Sequence, residues 1–231
     1  MNVFNVVFAS NILSFDNVLW GDVYKATLET LHMTVVSTIY VFVIGLVLGI
    51  LLYVTDENHA WENKFVHGAL SFVVDIFRSI PFVILIVLLI PVTKVLVGTM
   101  LGPKGAIPAL IISAAPFYAR LVSIALNEIP VGVVEAAESM GATTLKIIWK
   151  VLIPEALPAL ISGITVTAIA LIGATAAAGV IGSGGLGTLA YLIGYTRNKQ
   201  DIVLVATVMI LILVFVIQLM GDYFTKRVDK R

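Results

Sequence analysis

The side chains able to do chemistry are few and scattered. Asp75 and Arg78 stand three residues apart, a spacing that lets them pair on one helix face. Glu135, Glu138, Lys146 and Lys150 share one polar loop. His32, His59 and His67 form no ligand pattern such as His-Glu-x-x-His, and no Ser/His/Asp arrangement can be drawn. A phosphate-cradling Gly-x-x-x-x-Gly-Lys-Ser/Thr loop is absent from the sequence. Gly182, Gly184 and Gly187 do fit Gly-x-Gly-x-x-Gly, with Asp201 downstream, the spacing of a dinucleotide fingerprint. That fingerprint needs a strand before it and a helix after it. Here an apolar helix precedes the glycines and no βαβ unit can be drawn, so the dinucleotide reading fails. Gly182, Gly184, Gly185 and Gly187 are read instead as a bent or re-entrant stretch lining a cavity or gate. Helix packing through small residues, including Gly173, Ala177 and Ala178, explains the composition equally well. Gln218 and Asp222 mark the inner end of a span rather than a proton relay. With no cysteine there is no disulfide, thiolate metal site or thiol nucleophile.

The elements that position these residues follow from composition. Of 231 residues 60% are hydrophobic and only 12% charged, and mean hydropathy is +1.07. An ordinary soluble domain carries roughly twice that share of charge. One core cannot absorb so much apolar surface, so part of it faces lipid. The formal net charge of +0 gives no signal for nucleic acid. A span needs about 20 apolar residues. Five candidates follow, at about 33–54, 70–97, 106–126, 157–182 and 202–221, and the fold class is an all-α integral membrane protein. The uncharged stretch 156–196 is too long for one span and short for two. Residues 1–20 lack the basic start and cleavage site of a signal peptide, and an interfacial or peripheral helix is preferred there to a sixth span, so 1–30 are expected to form an extracytoplasmic or interfacial segment.

Five spans put the termini on opposite sides. With the C-terminus inside, Lys64, Arg78, Arg120, Lys146, Lys150, Lys226, Arg227, Lys230 and Arg231 lie at or near the inner side. Lys25, Lys94, Lys104, Arg197 and Lys199 lie outside. The excess inside favours an outer N-terminus and a cytoplasmic C-terminus, with the basic tail 223–231 carrying most of the bias. The loop 127–155 is then cytoplasmic. A charge at the bilayer centre costs about 2.5–3.5 kcal/mol, so Asp75 and Arg78 must face protein, water or a partner. The preferred reading is an ion pair near the inner interface, before the apolar run 80–92 begins. The alternative is a lining of a translocation path or gate. Pro81 and Pro91 should bend or break this span.

Prolines at 130 and 154 bracket the cytoplasmic loop. Between them Val133, Val134, Ala137, Met140, Ile147, Ile148 and Val151 fall at helical spacing, interrupted at Gly141. Gly141 can end one short helix and Thr143 or Thr144 can cap the next. The expected result is a helix–turn–helix hairpin on the inner face.

The residues of this hairpin carry a resemblance. Glu135, Ala136 and Ala137, three residues, Gly141, nine residues, then Val151, Leu152, Ile153 and Pro154 resemble the EAA motif of ABC importer permeases. That motif reads Glu-Ala-Ala, three residues, Gly, nine residues, Ile-x-Leu-Pro. Val151 and Ile153 stand where Ile and Leu are usual, a change of little volume. The stretches 76–82, 114–120, 154–158 and 182–187, with Gly221 and Asp222, are similar to the methionine-type members. The likeness runs from about Leu31 to Asp222.

The resemblance implies a type I importer permease fold, with residues 31–222 as the transmembrane domain and 127–155 as the coupling loop. It implies that Glu135, Ala136, Ala137, Gly141 and Pro154 form or support a docking surface for a separate ATPase subunit. It also implies a homodimer in the cell membrane and an extracytoplasmic substrate-binding protein. No cofactor is expected in this chain, because ATP and Mg would sit on the ATPase partner. Asp75, Arg78, Pro81 and the four glycines at 182, 184, 185 and 187 become pathway or gate candidates. Methionine is the expected cargo, with glycine betaine or a polar amino acid as alternatives. A small ion-coupled secondary transporter is the rival of another class, and it would need titratable groups deep in the spans, where only Asp75 could serve. A membrane scaffold, the remaining rival, would need neither broken spans nor a docking hairpin.

Overall fold

The computed structural model describes residues 15–57 and 59–229. Residues 1–14, nearly half of the expected interfacial segment 1–30, and Lys230 and Arg231 of the basic tail lie outside the described residues. Every regular element among the described residues is helical. The order is α1 (Trp20–Val54), α2 (Lys64–Ser79), α3 (Phe82–Leu88), α4 (Ile90–Val97), α5 (Gly102–Asn127), α6 (Val131–Ser139), α7 (Thr144–Ile147), α8 (Ile153–Gly179), α9 (Gly185–Thr188) and α10 (Gln200–Val228). A π-helical turn at Ile148–Leu152 joins α7 to α8, and another at Leu189–Tyr195 extends α9.

Four helical stretches are long and apolar enough to cross a membrane: Trp20–Val54, Gly102–Asn127, Thr144–Gly179 and Gln200–Val228. The bent pair Lys64–Ser79 and Phe82–Leu88 makes a fifth when counted as one span. α1, α5 and α10 outrun the apolar stretches that suggested them, whereas the fourth spanning helix starts earlier than expected and ends at Gly179, short of residue 182. α1 begins well before residue 33, because Asp22, Lys25 and Glu29 sit comfortably on helix while not needing lipid.

The second span is in pieces. Asn63 caps α2, its side-chain oxygen accepting from the Phe65 and Val66 N–H groups, both at 3.1 Å. Ile80 then takes an extended conformation (φ −80°, ψ 122°) and Pro81 becomes the N-cap of α3. The residue before a proline is biased away from the helical region, and Ile80 is where this helix stops, although Ile153 before Pro154 stays helical. Pro91 lies within the first two positions of α4, where its missing N–H costs nothing.

The chain divides into two compact units. One comprises residues up to Ser37, Pro81–Ile111 and Ala168–Val216. Its buried side chains include Met33, Leu85, Leu110, Leu171, Ile172 and Leu186. The other comprises Thr38–Ile80, Ile112–Thr167 and residues from Ile217 onward. Its buried side chains include Leu52, Tyr118, Val122 and Leu126, with Leu52, Val74 and Ala119 packed as a cluster. In this second unit α1 lies hard against α5. A Cβ on Gly45 would stand 2.8 Å from Tyr118 Cδ1, and one on Gly49 would stand 2.5 Å from Val122 Cβ. Two small residues one turn apart let the backbones approach, as in helix pairs that pack without a hydrophobic driving force. The Tyr118 hydroxyl donates to the Leu160 carbonyl at 3.2 Å and so ties α5 to α8.

Candidate functional site

The proline-bracketed loop folds as a helical hairpin, α6 followed by α7. Pro130 is the N-cap of α6. The turn is made by Gly141, at φ +77°. Its N–H donates to the Glu138 carbonyl at 2.8 Å, and the Ala142 N–H to the Ala137 carbonyl at 3.1 Å, satisfying the orphan carbonyls of α6. A residue with a Cβ is strained in that conformation, which is why glycine stands there. Thr143 occupies the N-cap position of α7 but makes no side-chain cap bond.

The hairpin has an inner and an outer face. Ala137, Ile147, Ile148 and Leu152 are buried against their own unit. Glu135, Ala136, Gly141 and Pro154 are exposed, as are the large apolar side chains of Val131, Met140, Leu145 and Trp149. Met140 is 82% exposed, although its spacing grouped it with the buried positions. The small side chain of Ala137 therefore serves the hairpin's seat, while Ala136 and Gly141 lie open to an approaching surface. A cavity of about 410 Å³ separates the hairpin from the end of α1, lined among others by Tyr53, Glu57, His59, Glu135, Glu138 and Ile148. Glu57 is already paired with Lys64 at 2.9 Å.

Asp75 and Arg78 lie in the same unit but in a different cluster. Asp75 Oδ1 accepts from Arg120 Nη2 at 2.9 Å and from Arg78 Nη1 at 3.4 Å. The stronger partner comes from α5, and Arg120 enters the sequence reading as an inner-side charge and as the end of the stretch 114–120. Its signal was available: it is the lone charge in the stretch 106–126.

The glycine-rich turn belongs to the other unit. Gly182, Gly184 and Gly185 all take positive φ, at +85°, +81° and +73°. Gly187 instead is required by close approach, since a Cβ there would meet the Ala176 backbone. The chain thus reverses after α8 and starts the short apolar helix Gly185–Tyr195. Its first N–H groups are met by side chains from α1. Glu29 Oε2 accepts from Gly185 N–H at 2.8 Å, and Thr30 Oγ1 from Leu186 N–H at 2.9 Å. Neither residue was singled out by sequence. A carboxylate one helical turn before an apolar run was the signal. Pro81 falls in this unit, at the start of α3.

Among the described residues no group of three or more His, Cys, Asp or Glu side chains could hold a metal ion. Among the described residues the candidates are an exposed hairpin face, an ion-paired cluster and a glycine turn.

Known proteins are similar to this chain in sequence and fold. The family described as binding-protein-dependent transport system inner membrane component matches residues 45–230. The methionine import system permease protein MetP of Bacillus subtilis (strain 168) is 61% identical over 217 residues, covering 94% of this chain and 98% of that one. The probable D-methionine transport system permease protein MetI of Pasteurella multocida (strain Pm70) is 45% identical over 213 residues, covering 92% and 98%. A solved structure of the MetNI methionine ABC transporter, in an inward-facing conformation, superposes with a TM-score of 0.88 at 44% identity, covering 91% of this chain and 98% of its own.

Proposed function

The chain belongs to the family of binding-protein-dependent transport system inner membrane components, and from that premise we propose that it is the permease subunit of an ATP-driven importer of methionine. The observation that carries the cargo is the 61% identity, across almost the whole chain, to a methionine import permease. The all-helical fold agrees with the solved methionine transporter.

Likeness to a solved methionine ABC transporter supports an ATPase partner and a paired permease. The exposed face of the hairpin, with Glu135, Ala136 and Gly141 beside Met140 and Trp149, is the docking surface for an ATPase subunit. Pro154 does not end the second helix of the hairpin: it is the second residue of α8, within the continuous helical stretch Thr144–Gly179. Two copies of the chain line the path, because five spans are few for a pathway. An extracytoplasmic binding protein delivers the cargo, and the hairpin faces the cytoplasm with the C-terminus. Nucleotide and magnesium are held by the ATPase pair, whose closure draws the two hairpins together and tips the spans outward-facing. The free energy of that change is the difference in affinity of the two states for nucleotide.

The test is uptake in cells lacking other methionine permeases. Labelled methionine should enter in preference to glycine betaine and polar amino acids. Gly141→Asp should abolish co-purification of the ATPase subunit while leaving the permease in the membrane. Uptake that proceeds without the ATPase subunit would falsify this reading.

A further inference from the structure

The cavity between the hairpin and the end of α1 is lined by groups that the docking face leaves idle. Its volume of about 410 Å³ is that of a small-molecule site, and more than one lysine or arginine side chain fills. Both walls belong to one compact unit. Val54, Val134, Ile147, Ile148 and Leu152 make much of its lining apolar. Tyr53 and His59 add an aromatic wall, their rings edge-to-face with centroids 4.2 Å apart.

The polar groups of the lining select by charge. Glu57 is spent on Lys64, but Glu135 and Glu138 make no ion pair among the described residues. No lysine or arginine is among the lining residues described. Tyr53 gives a second, independent sign. It is only 6% exposed, it lines the cavity, and its hydroxyl makes no hydrogen bond among the described residues. It lies within electrostatic range of the Glu138 carboxylate on the hairpin wall. Buried hydroxyls almost always have a partner, so this one marks a place where an occupant supplies it. A cationic group between Tyr53 and Glu138 meets an acceptor on each side and leaves its apolar body against the aliphatic lining. Anions are repelled there, and a free amino acid would set its carboxylate against the same two glutamates.

We propose that this cavity is a binding site for a small organic cation with an apolar or aromatic body, held by Glu138 and Tyr53. The site is distinct from the cargo reading above and does not depend on it. α6 carries both this wall and the docking face, so an occupant sits against the element proposed to meet the ATPase subunit.

The chain has no cysteine, so Ala60→Cys places a single thiol in the lining. Its rate of labelling by a maleimide is followed on the permease of the solubilised complete importer. Tryptamine should slow the labelling to a plateau. Tryptophol, which replaces the ammonium by a hydroxyl, should need about tenfold more, the worth of a charge-assisted contact. Indole-3-propionate, the anion, should not protect. In the same background Glu138→Gln should bring the tryptamine and tryptophol concentrations together, and Tyr53→Phe should weaken tryptamine alone. Equal protection by tryptamine and tryptophol in the parent, or none by tryptamine, overturns the inference, even where a variant fails to assemble. Labelling blocked by the ATPase subunit without any ligand gives the cavity to the subunit interface and overturns it too. If no ATPase subunit associates, the importer reading falls instead, and the same ligand series is read on the permease by itself.

Discussion

Glu29 shows what a single side chain does in this fold. Its carboxylate meets the Gly185 N–H at 2.8 Å and so caps a short helix from another part of the chain. Buried N–H groups left without an acceptor cost about 1–3 kcal/mol. Glu29→Ala should therefore lower the melting temperature of the solubilised permease by several degrees. Glu29→Gln keeps a carbonyl oxygen at that reach and should lose less than half as much. Equal losses in the two variants would show that charge, not the hydrogen bond, holds the turn. Asp201 works similarly, its carboxylate accepting from the Asn17 and Ile202 N–H groups at 3.0 Å each. At this scale the sequence was only partly readable. Gly141, Glu135 and Asp75 stood out by spacing or by being charges in apolar company. Glu29 and Arg120 needed their partners, which are 156 and 45 residues away.

Among the elements, the packing of α1 on α5 has the least tolerance. Gly45 and Gly49 are followed by contacts that leave no space for a Cβ, and the nearest atoms include backbone oxygens of Ala115 and Ala119. Those oxygens cannot rotate away. Gly49→Val should separate the helices, and the variant should appear as protease-sensitive or degraded protein in membranes. Gly173→Ala, where nothing stands within 4 Å in this chain, should accumulate at the parent level. A normal yield of Gly49→Val would refute the close packing. The Gly-x-x-x-Gly spacing was present in the sequence, but an apolar helix full of small residues offers many such pairs. Which pair touches a neighbour depends on which face of α1 turns toward α5. The break at Pro81 was legible, because proline acts on its own preceding residue. The π-helical turn at Ile148–Leu152, which makes Thr144–Gly179 one continuous stretch, had no local marker.

For the whole molecule the test is topology. The chain contains no cysteine, so single introduced thiols report their own side of the membrane. Trp149→Cys, on the exposed face of the hairpin, should react with an impermeant maleimide only in inside-out vesicles. Lys104→Cys, before the body of α5, should react only in intact cells stripped of their outer barrier. The reverse pattern would invert the orientation proposed from the basic residues, while labelling from both sides would point to leaking vesicles and call for a tighter preparation.

Local chemistry by itself determines the class of this protein. A 60% hydrophobic chain with spans of membrane length, a proline-bracketed loop and a glycine at its turn specify helices and a hairpin, since each depends on neighbours in sequence. Tertiary structure decided which side chains share a site. Met140 faces out and Ala137 faces in, though periodicity ranked them together. Asp75 belongs with Arg120 more closely than with its helical neighbour Arg78. The turn at Gly184 and Gly185 is held by α1. These pairings are contacts between segments far apart in the chain, and periodicity within a helix carries no information about which distant face it will meet.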